Sequence, residues 1–175
     1  MAITLYKDEE SFLQGKGVTF TQSRANLQED GIFTIADVKA GNWIFYEGQD
    51  YHGPSVKKQR VVESHVSISD VNGSVFLVEE GLILFKDTDY RAERKWFRDD
   101  QEDLTNTFLG QPPSGISSGI VLSKNRSVVL YDKTNFKGNC YTMRPGEWCE
   151  KLNRTDTGSV GENDKWLSLK FIYEA

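Results

Sequence analysis

The sequence predicts an all-β fold built from four copies of one supersecondary unit, and three observations support this prediction. An aromatic-led hairpin pattern recurs four times, the residues before each copy are mainly β-branched or aromatic, and no stretch shows a sustained helical period with caps. The leading aromatic residues lie 40, 39 and 46 residues apart. A period of this length indicates a repeated unit that buries its apolar face only against neighbouring copies. The leading aromatics are Tyr6, Tyr46, Phe85 and Tyr131.

Two copies of the hairpin pattern are intact, at residues 46–53 and 131–138. Each has an aromatic residue, four further residues, a second aromatic, any residue and a glycine. Glycine at the last position permits a positive φ, so that the second aromatic ring can fold over the turn.

The other two copies depart from this pattern. The third, which starts at Phe85, has Ala92 in the place of glycine, so we expect Ala92 either to carry a strained positive φ or to relax the hairpin. The first has one extra residue between Tyr6 and Phe12, and Gly15 follows one place late.

Strands are predicted on both sides of the hairpins. The strands that lead into them are expected at residues 3–6, 43–46, 82–85 and 128–131, and those that close the units at 32–38, 66–71, 116–122 and 166–173. This arrangement predicts antiparallel keys packed in pairs. Trp43 and Trp148 lie on expected strands among apolar or small residues, so we expect both in the core.

With a serine- or threonine-bearing strand at the end of each unit, the fourfold hairpin pattern resembles the βγ-crystallin family over nearly the whole chain. The resemblance implies two βγ-crystallin-like domains, each a sandwich of two Greek-key motifs. Keys 1 and 2 would occupy residues 1–73, and keys 3 and 4 residues 81–175. Residues 74–78 are apolar for a connector, so we expect the neighbouring domain or another molecule to cover them. Pairing of the domains within one chain or in a homodimer stays open.

Composition and charge exclude several function classes. The formal net charge is −5, with 26 acidic and 21 basic side chains, and such a surface repels phosphate backbones, which makes nucleic acid an unfavourable partner. The chain starts directly with the first predicted strand and has no apolar segment long enough to span a membrane. We therefore expect a cytoplasmic protein, in which Cys140 and Cys149 stay reduced.

Catalytic residues are not predicted, because His52 and His65 are the only histidines and no phosphate loop or nucleophile elbow is present. The predicted function is that of a non-enzymatic structural protein with weak calcium binding. The alternative is an interaction module that binds a protein or a glycan through its long loops, at residues 98–113 and 151–162.

Calcium is the one cofactor that the resemblance implies. The family carries the signature Asn/Asp-Asn/Asp-x-x-Ser/Thr-Ser at the start of each closing strand, where oxygen atoms converge on the cation. We place the corresponding hexapeptides at residues 29–34, 63–68, 113–118 and 163–168. None is complete. The first and fourth keep Asp30 and Asp164 but lack the fifth-position hydroxyl, whereas the second and third keep that hydroxyl in Ser67 and Ser117.

These losses complement one another within each domain. In the family arrangement, one key supplies the hydroxyl and its partner key supplies the carboxylate. The resemblance thus implies one weak site per domain, in which Ser67 pairs with Asp30 and Ser117 with Asp164. The backbone carbonyls implied as further ligands belong to Glu47, His65, Lys86 and Gly115. A purely structural use of the same polar residues, in which they tie turn to strand, stays open.

Overall fold

The structure is a computed structural model that describes residues 1–53, 55–60, 65–107, 115–153, 156 and 166–174; of residues 55–60 and Ser69 it describes only the backbone. The chain divides into two compact units, Met1–Glu79 and Glu80–Ala175. The regular secondary structure of each unit is almost wholly antiparallel strand, which confirms the all-β prediction.

The first unit contains two sheets, with strand orders β2-β1-β3-β6 and β5-β4-β7. Its elements are β1 (Ala2–Tyr6), α1 (Glu9–Leu13), β2 (Val18–Phe20), β3 (Phe33–Ala40), β4 (Asn42–Tyr46), a 3₁₀ turn (Gln49–Tyr51), β5 (Ser55–Arg60), β6 (Val66–Val71) and β7 (Ser74–Val78).

The second unit also contains two sheets, with strand orders β13-β10-β8-β9 and β12-β11-β14. Its elements are β8 (Gly81–Phe85), β9 (Arg94–Phe97), β10 (Ser118–Leu122), β11 (Arg126–Lys133), β12 (Lys137–Met143), β13 (Trp148–Cys149) and β14 (Ser168–Tyr173).

The two keys of each unit exchange their third strands. Strand β6 belongs to the second key but pairs with β3 of the first, while Arg24 of the first key forms a bridge with Val75 in β7. In the second unit, β13 joins β10, and Gln101 bridges to Leu169 in β14. Each sheet therefore contains residues from both keys, which ties the two keys of a unit together.

Residues 74–78 are not the connector that the sequence analysis expected. They form β7, which pairs along its full length with β4 and is buried at all five positions. The apolar character of this segment follows from its place inside the first unit. Strand β6 matches the predicted strand at 66–71 but lies in the sheet of the other key, so β7 is the strand that closes the second key.

Each unit has its own apolar core between its two sheets. Trp43 is fully buried in the first core, as predicted. The expectation for Trp148 was wrong, because this residue lies in β13, where it pairs with Ile120 of β10, and is only half-buried. Trp166 occupies the second core instead, with 2% of its surface exposed, and its indole N–H donates to the carbonyl oxygen of Leu152 at 3.2 Å.

The extra residue in the first hairpin forms part of a one-turn helix, α1. The Asp8 carboxylate accepts a hydrogen bond from the backbone N–H of Ser11 at 2.7 Å and thereby caps the helix. Phe12 still reaches its partner Tyr6, with ring centroids 5.1 Å apart. The helix therefore takes up the insertion without losing the aromatic contact.

Candidate functional site: hydroxyl-closed hairpins and the expected calcium positions

A side-chain hydroxyl from the closing strand bonds to a backbone carbonyl in the hairpin of every key. The donor is Thr34 in the first key, Ser74 in the second, Ser118 in the third and Ser168 in the fourth. The acceptors are the carbonyl oxygens of Lys7, Gly48, Asp87 and Lys133, at 2.8, 2.7, 2.6 and 2.6 Å. The three serines are fully buried, so these bonds are shielded from water.

In three keys the same serine also accepts a hydrogen bond. The backbone N–H of Tyr51 donates to Ser74, that of Tyr90 to Ser118 and that of Phe136 to Ser168, at 3.0 to 3.1 Å. Each donor is the second aromatic of its hairpin, which packs on the leading aromatic at 5.6 to 6.0 Å between ring centroids. One serine thus forms hydrogen bonds at both ends of the hairpin turn.

The backbone of these aromatics has a positive φ, and so does the polar residue before each of them. The φ values lie between 50° and 61° for the pairs Asp50 and Tyr51, Asp89 and Tyr90, and Asn135 and Phe136. Ala92 has a φ of 64°, which confirms the strained alternative predicted for it.

The hydroxyl closures show that the hexapeptide of the second key was placed wrongly in the sequence. Hexapeptides 29–34, 113–118 and 163–168 end on the closing hydroxyl, whereas 63–68 ends on Ile68 in β6. The equivalent of the other three is residues 69–74, which end on Ser74. A sequence signal was available, because Ser74 follows Tyr46 at the same interval of 28 residues that separates Thr34 from Tyr6.

This shift changes the candidate calcium residues of the first unit. Ser67 pairs with Ile35 across β6 and β3, and the His65 ring lies 3.1 Å from the Glu9 carboxylate, so neither residue occupies the hairpin-closing position. The fifth position of the second key is Gly73, which has no hydroxyl. A Cβ on Gly73 would clash with the backbone carbonyl of Glu47, so a serine does not fit there without a backbone shift.

Asp30 is engaged in a salt bridge. Its carboxylate accepts from the Nε of Arg24 at 3.1 Å, and Arg24 is in turn fixed by its backbone bridge to Val75. The fifth position of the first key is occupied by the buried Phe33. Neither fifth position of this unit therefore supplies a side-chain oxygen that could bind calcium.

The second unit keeps more of the expected set. Ser117 is 7% exposed, its N–H donates to the carbonyl of Phe85 at 3.0 Å, and Lys86 follows directly in the hairpin. Gly115, which precedes Ser117 by two residues, is also buried. Asp164 lies outside the described residues. Over the described part of both units, no group of three or more His, Cys, Asp or Glu side chains is placed to hold a metal ion.

The two cysteines are free thiols in different surroundings. Burial raises the pKa of Cys149, whose sulfur lies 3.9 Å from the Tyr141 hydroxyl. Burial and the nearby Asp156 carboxylate raise the pKa of Cys140. Both thiols are therefore held in the neutral form, which is a poor nucleophile and a poor metal ligand.

The long loops are described only in part. In the first, Leu104 is fully buried in the core and Asp103 accepts the Thr105 N–H at 2.8 Å, so the described half is anchored to the unit. In the second, Asp156 accepts the Thr142 N–H at 2.9 Å and donates its own N–H to Cys140 at 2.8 Å. The remainder of both loops lies outside the described residues.

Comparison with known proteins finds two similar sequences and a solved structure with the same fold. No protein-family model matches the chain. Gamma-crystallin D from Bos taurus is 29% identical over 155 residues, which cover 83% of this chain and 85% of that protein. Gamma-crystallin F from Bos taurus is 27% identical over 157 residues, with the same coverage. Geodin, a beta-gamma crystallin from Geodia cydonium, has the same fold, with a TM-score of 0.72 and 20% identity over 97% of both chains.

The two gamma-crystallin relatives and the structural match to geodin together support the assignment of this chain to the βγ-crystallin family. The predicted fold of two domains is thereby confirmed, since the match to geodin extends over both units. The relatives are crystallins, and this chain shares their fold over nearly its full length. None of the helices among the described residues is long and apolar enough to cross a membrane.

Proposed function

We propose that this βγ-crystallin is a non-enzymatic structural protein whose keys are held shut by side-chain hydroxyls rather than by a bound metal. The observation that carries the proposal is the set of four closures, in which a threonine or a buried serine donates to a hairpin carbonyl at 2.6 to 2.8 Å. A buried polar group that is fully bonded needs no further ligand to be stable. The fold is therefore expected to persist without calcium.

The test is thermal unfolding of the metal-stripped protein. In excess EGTA we expect a cooperative transition, a β-type far-ultraviolet circular dichroism spectrum and no loss of near-ultraviolet signal before the transition. A protein that loses its tertiary structure on chelation would contradict the proposal, because its keys would then depend on the metal.

Calcium remains as a second candidate, and we propose it for the second unit alone. Ser117 lies beside the hairpin, with its N–H bonded to the Phe85 carbonyl, whereas the first unit has Phe33 and Gly73 at its two hydroxyl positions. The proposed ligands are Ser117, the carbonyls of Lys86 and Gly115, and Asp164. With a single carboxylate among them, the site would be weak.

Calorimetric titration of calcium into the stripped chain tests this second candidate. We expect one weak site per chain, lost in Ser117→Ala and Asp164→Asn and retained in the matched variant Asp30→Asn. Two equal sites, or a site that Asp30→Asn removes, would contradict the restriction to the second unit. Absence of binding at millimolar calcium would leave the purely structural function.

A further inference from the structure

The second unit contains a surface cavity that plays no part in the hairpin closures. Its volume is about 360 Å³, and it is lined by Glu80, Arg98 and Arg126. Two of these three side chains are arginines, in a chain whose formal net charge is −5. A pair of arginines in one concave site concentrates positive potential there against the charge of the whole protein.

Arg126 is held in place by three contacts. It starts β11 opposite Tyr173 of β14, and its guanidinium lies 4.8 Å from the ring centroid of Phe171 and 5.9 Å from that of Tyr173. Its Nη1 donates to the carbonyl oxygen of Arg98 at 3.0 Å, which also ties the two arginines together. Because the side chain is already ordered, little rotamer entropy remains to be lost when a ligand binds.

The charge of Arg126 is not neutralised by a direct ion pair. Among the described residues, no carboxylate forms a salt bridge with it. The neighbouring acidic side chains have other partners: Asp100 accepts the Phe171 N–H at 2.7 Å, and Glu174 accepts the hydroxyl of Ser127. The remaining N–H donors of the guanidinium fork are therefore available to an external acceptor.

We propose that this cavity is an oxyanion-binding site that takes the phosphate or carboxylate group of a small solute. Arg126 binds the oxyanion through its fork, and Arg98 adds a second positive charge. Glu80, which also lines the cavity, accepts a hydrogen bond from a hydroxyl or amino group of the solute and opposes purely anionic ligands. The solute is thus a small oxyanion that also carries a hydrogen-bond donor.

The test uses the intact chain labelled with ¹⁵N, titrated with inorganic phosphate and separately with acetate at constant ionic strength. Holding the ionic strength constant removes screening as a cause of shifts. We expect saturable shifts of the backbone amides of Arg98, Arg126 and Phe171. Saturation by phosphate alone would identify a phosphate site, and saturation by both anions a general oxyanion site.

Three variants and one matched control locate the site. Arg126→Gln should weaken phosphate binding by about tenfold or more, and Arg126→Lys by less, because lysine keeps the charge but not the fork. Glu80→Gln should strengthen binding by about twofold to fivefold, because it removes a like charge. Arg144→Gln, which removes an exposed arginine elsewhere in the unit, should leave affinity unchanged.

Two results would overturn the proposal. One is a linear, non-saturating response to both anions up to about 50 mM, which corresponds to no specific site. The other is equal weakening by Arg126→Gln and Arg144→Gln, which would assign the effect to net charge. The spectra also show whether each variant is folded. If Arg126→Gln does not fold, Arg126→Lys serves as the test variant in its place.

Discussion

Pairs of consecutive residues with positive φ turn three of the four hairpins, and in each pair the second residue is aromatic. The first is Asp or Asn, which tolerates this region of backbone space, but an aromatic residue there is strained by about 1–2 kcal/mol. The structure offsets that strain at the same residue. The aromatic N–H donates to the closing serine, and its ring packs on the leading aromatic.

Ala92 has a φ of 64° with no ring or hydroxyl to offset it, so it is the residue where strain is easiest to measure. Ala92→Gly should stabilise the protein by about a few tenths of a kcal/mol, since relief of the strain exceeds the extra entropy of glycine in the unfolded chain. Urea unfolding gives the free energy. The matched control, Ala40→Gly at the end of β3, should instead destabilise by about 0.5–1 kcal/mol. Equal losses in both variants would mean that Ala92 is unstrained.

The thiols give a pH-dependent prediction. Burial raises the pKa of Cys149 in the folded state, so the folded protein holds its proton at a pH where the unfolded chain has begun to release it. The stabilisation is therefore present below the unfolded thiol pKa and is lost as pH rises through the folded value. We expect slower alkylation of Cys149 by iodoacetamide in folded than in urea-unfolded protein at pH 8, followed by mass spectrometry. Equal rates would show that the thiol is accessible and unperturbed.

At the scale of single elements, the closing strands are fixed by their first residue. Ser74, Ser118 and Ser168 each start a strand and lie directly opposite the leading aromatic of the hairpin they close. The hydroxyl therefore sets the register of the strand as well as the shape of the hairpin. A register shift of one residue would break the closure and turn the core face outward at the same time.

Removing a closure leaves the hairpin's buried polar groups without their partner. Ser74→Ala should destabilise the first unit by about 1–3 kcal/mol, because the Gly48 carbonyl and the Tyr51 N–H both lose it. Ser67→Ala, on the exposed side of β6, should change stability by less than about 0.5 kcal/mol. If Ser67→Ala were instead the more destabilising variant, the second hexapeptide would lie at residues 63–68, as the sequence analysis placed it.

Strand β9 shows how a sheet edge is protected. It ends its sheet and carries Arg94 and Lys95, and the hairpin before it is crossed by ion pairs from Lys86 to Glu93 at 3.0 Å and from Arg91 to Asp87 at 3.5 Å. Charged side chains on an edge strand oppose pairing with another chain. The edge position of β9 thus explains why Arg94 and Lys95 are found on this strand.

At the scale of the whole molecule, each unit combines one core with two sheets that share strands between keys. Removal of a core tryptophan should therefore act on its own unit first. We expect Trp43→Ala and Trp166→Ala each to cost about 3–5 kcal/mol, and half-buried Trp148→Ala clearly less.

Hydrogen exchange resolves these effects by unit. Protection should fall across Met1–Glu79 in Trp43→Ala and across Glu80–Ala175 in Trp166→Ala. Equal loss of protection in both units from either variant would contradict separate cores. A loss of protection in Trp148→Ala as large as that in Trp166→Ala would mean that Trp148 is part of the core.

The sequence by itself determined the number of keys, the all-β class, the four hairpins and the position of strain at Ala92. The hairpins, the strands and the strain follow from patterns within about ten residues, namely aromatic spacing, β-branched runs and glycine placement. The number of keys follows from the repetition of the hairpin at intervals of 39 to 46 residues. All of these patterns are visible without knowing what packs against them. Only the tertiary structure decided the exchange of β6 and β13 between keys, the burial of Trp166 in place of Trp148, and the approach of Arg98 to Arg126. Each of these depends on pairing between segments far apart in the chain, and a short strand has the same local pattern whichever sheet it joins.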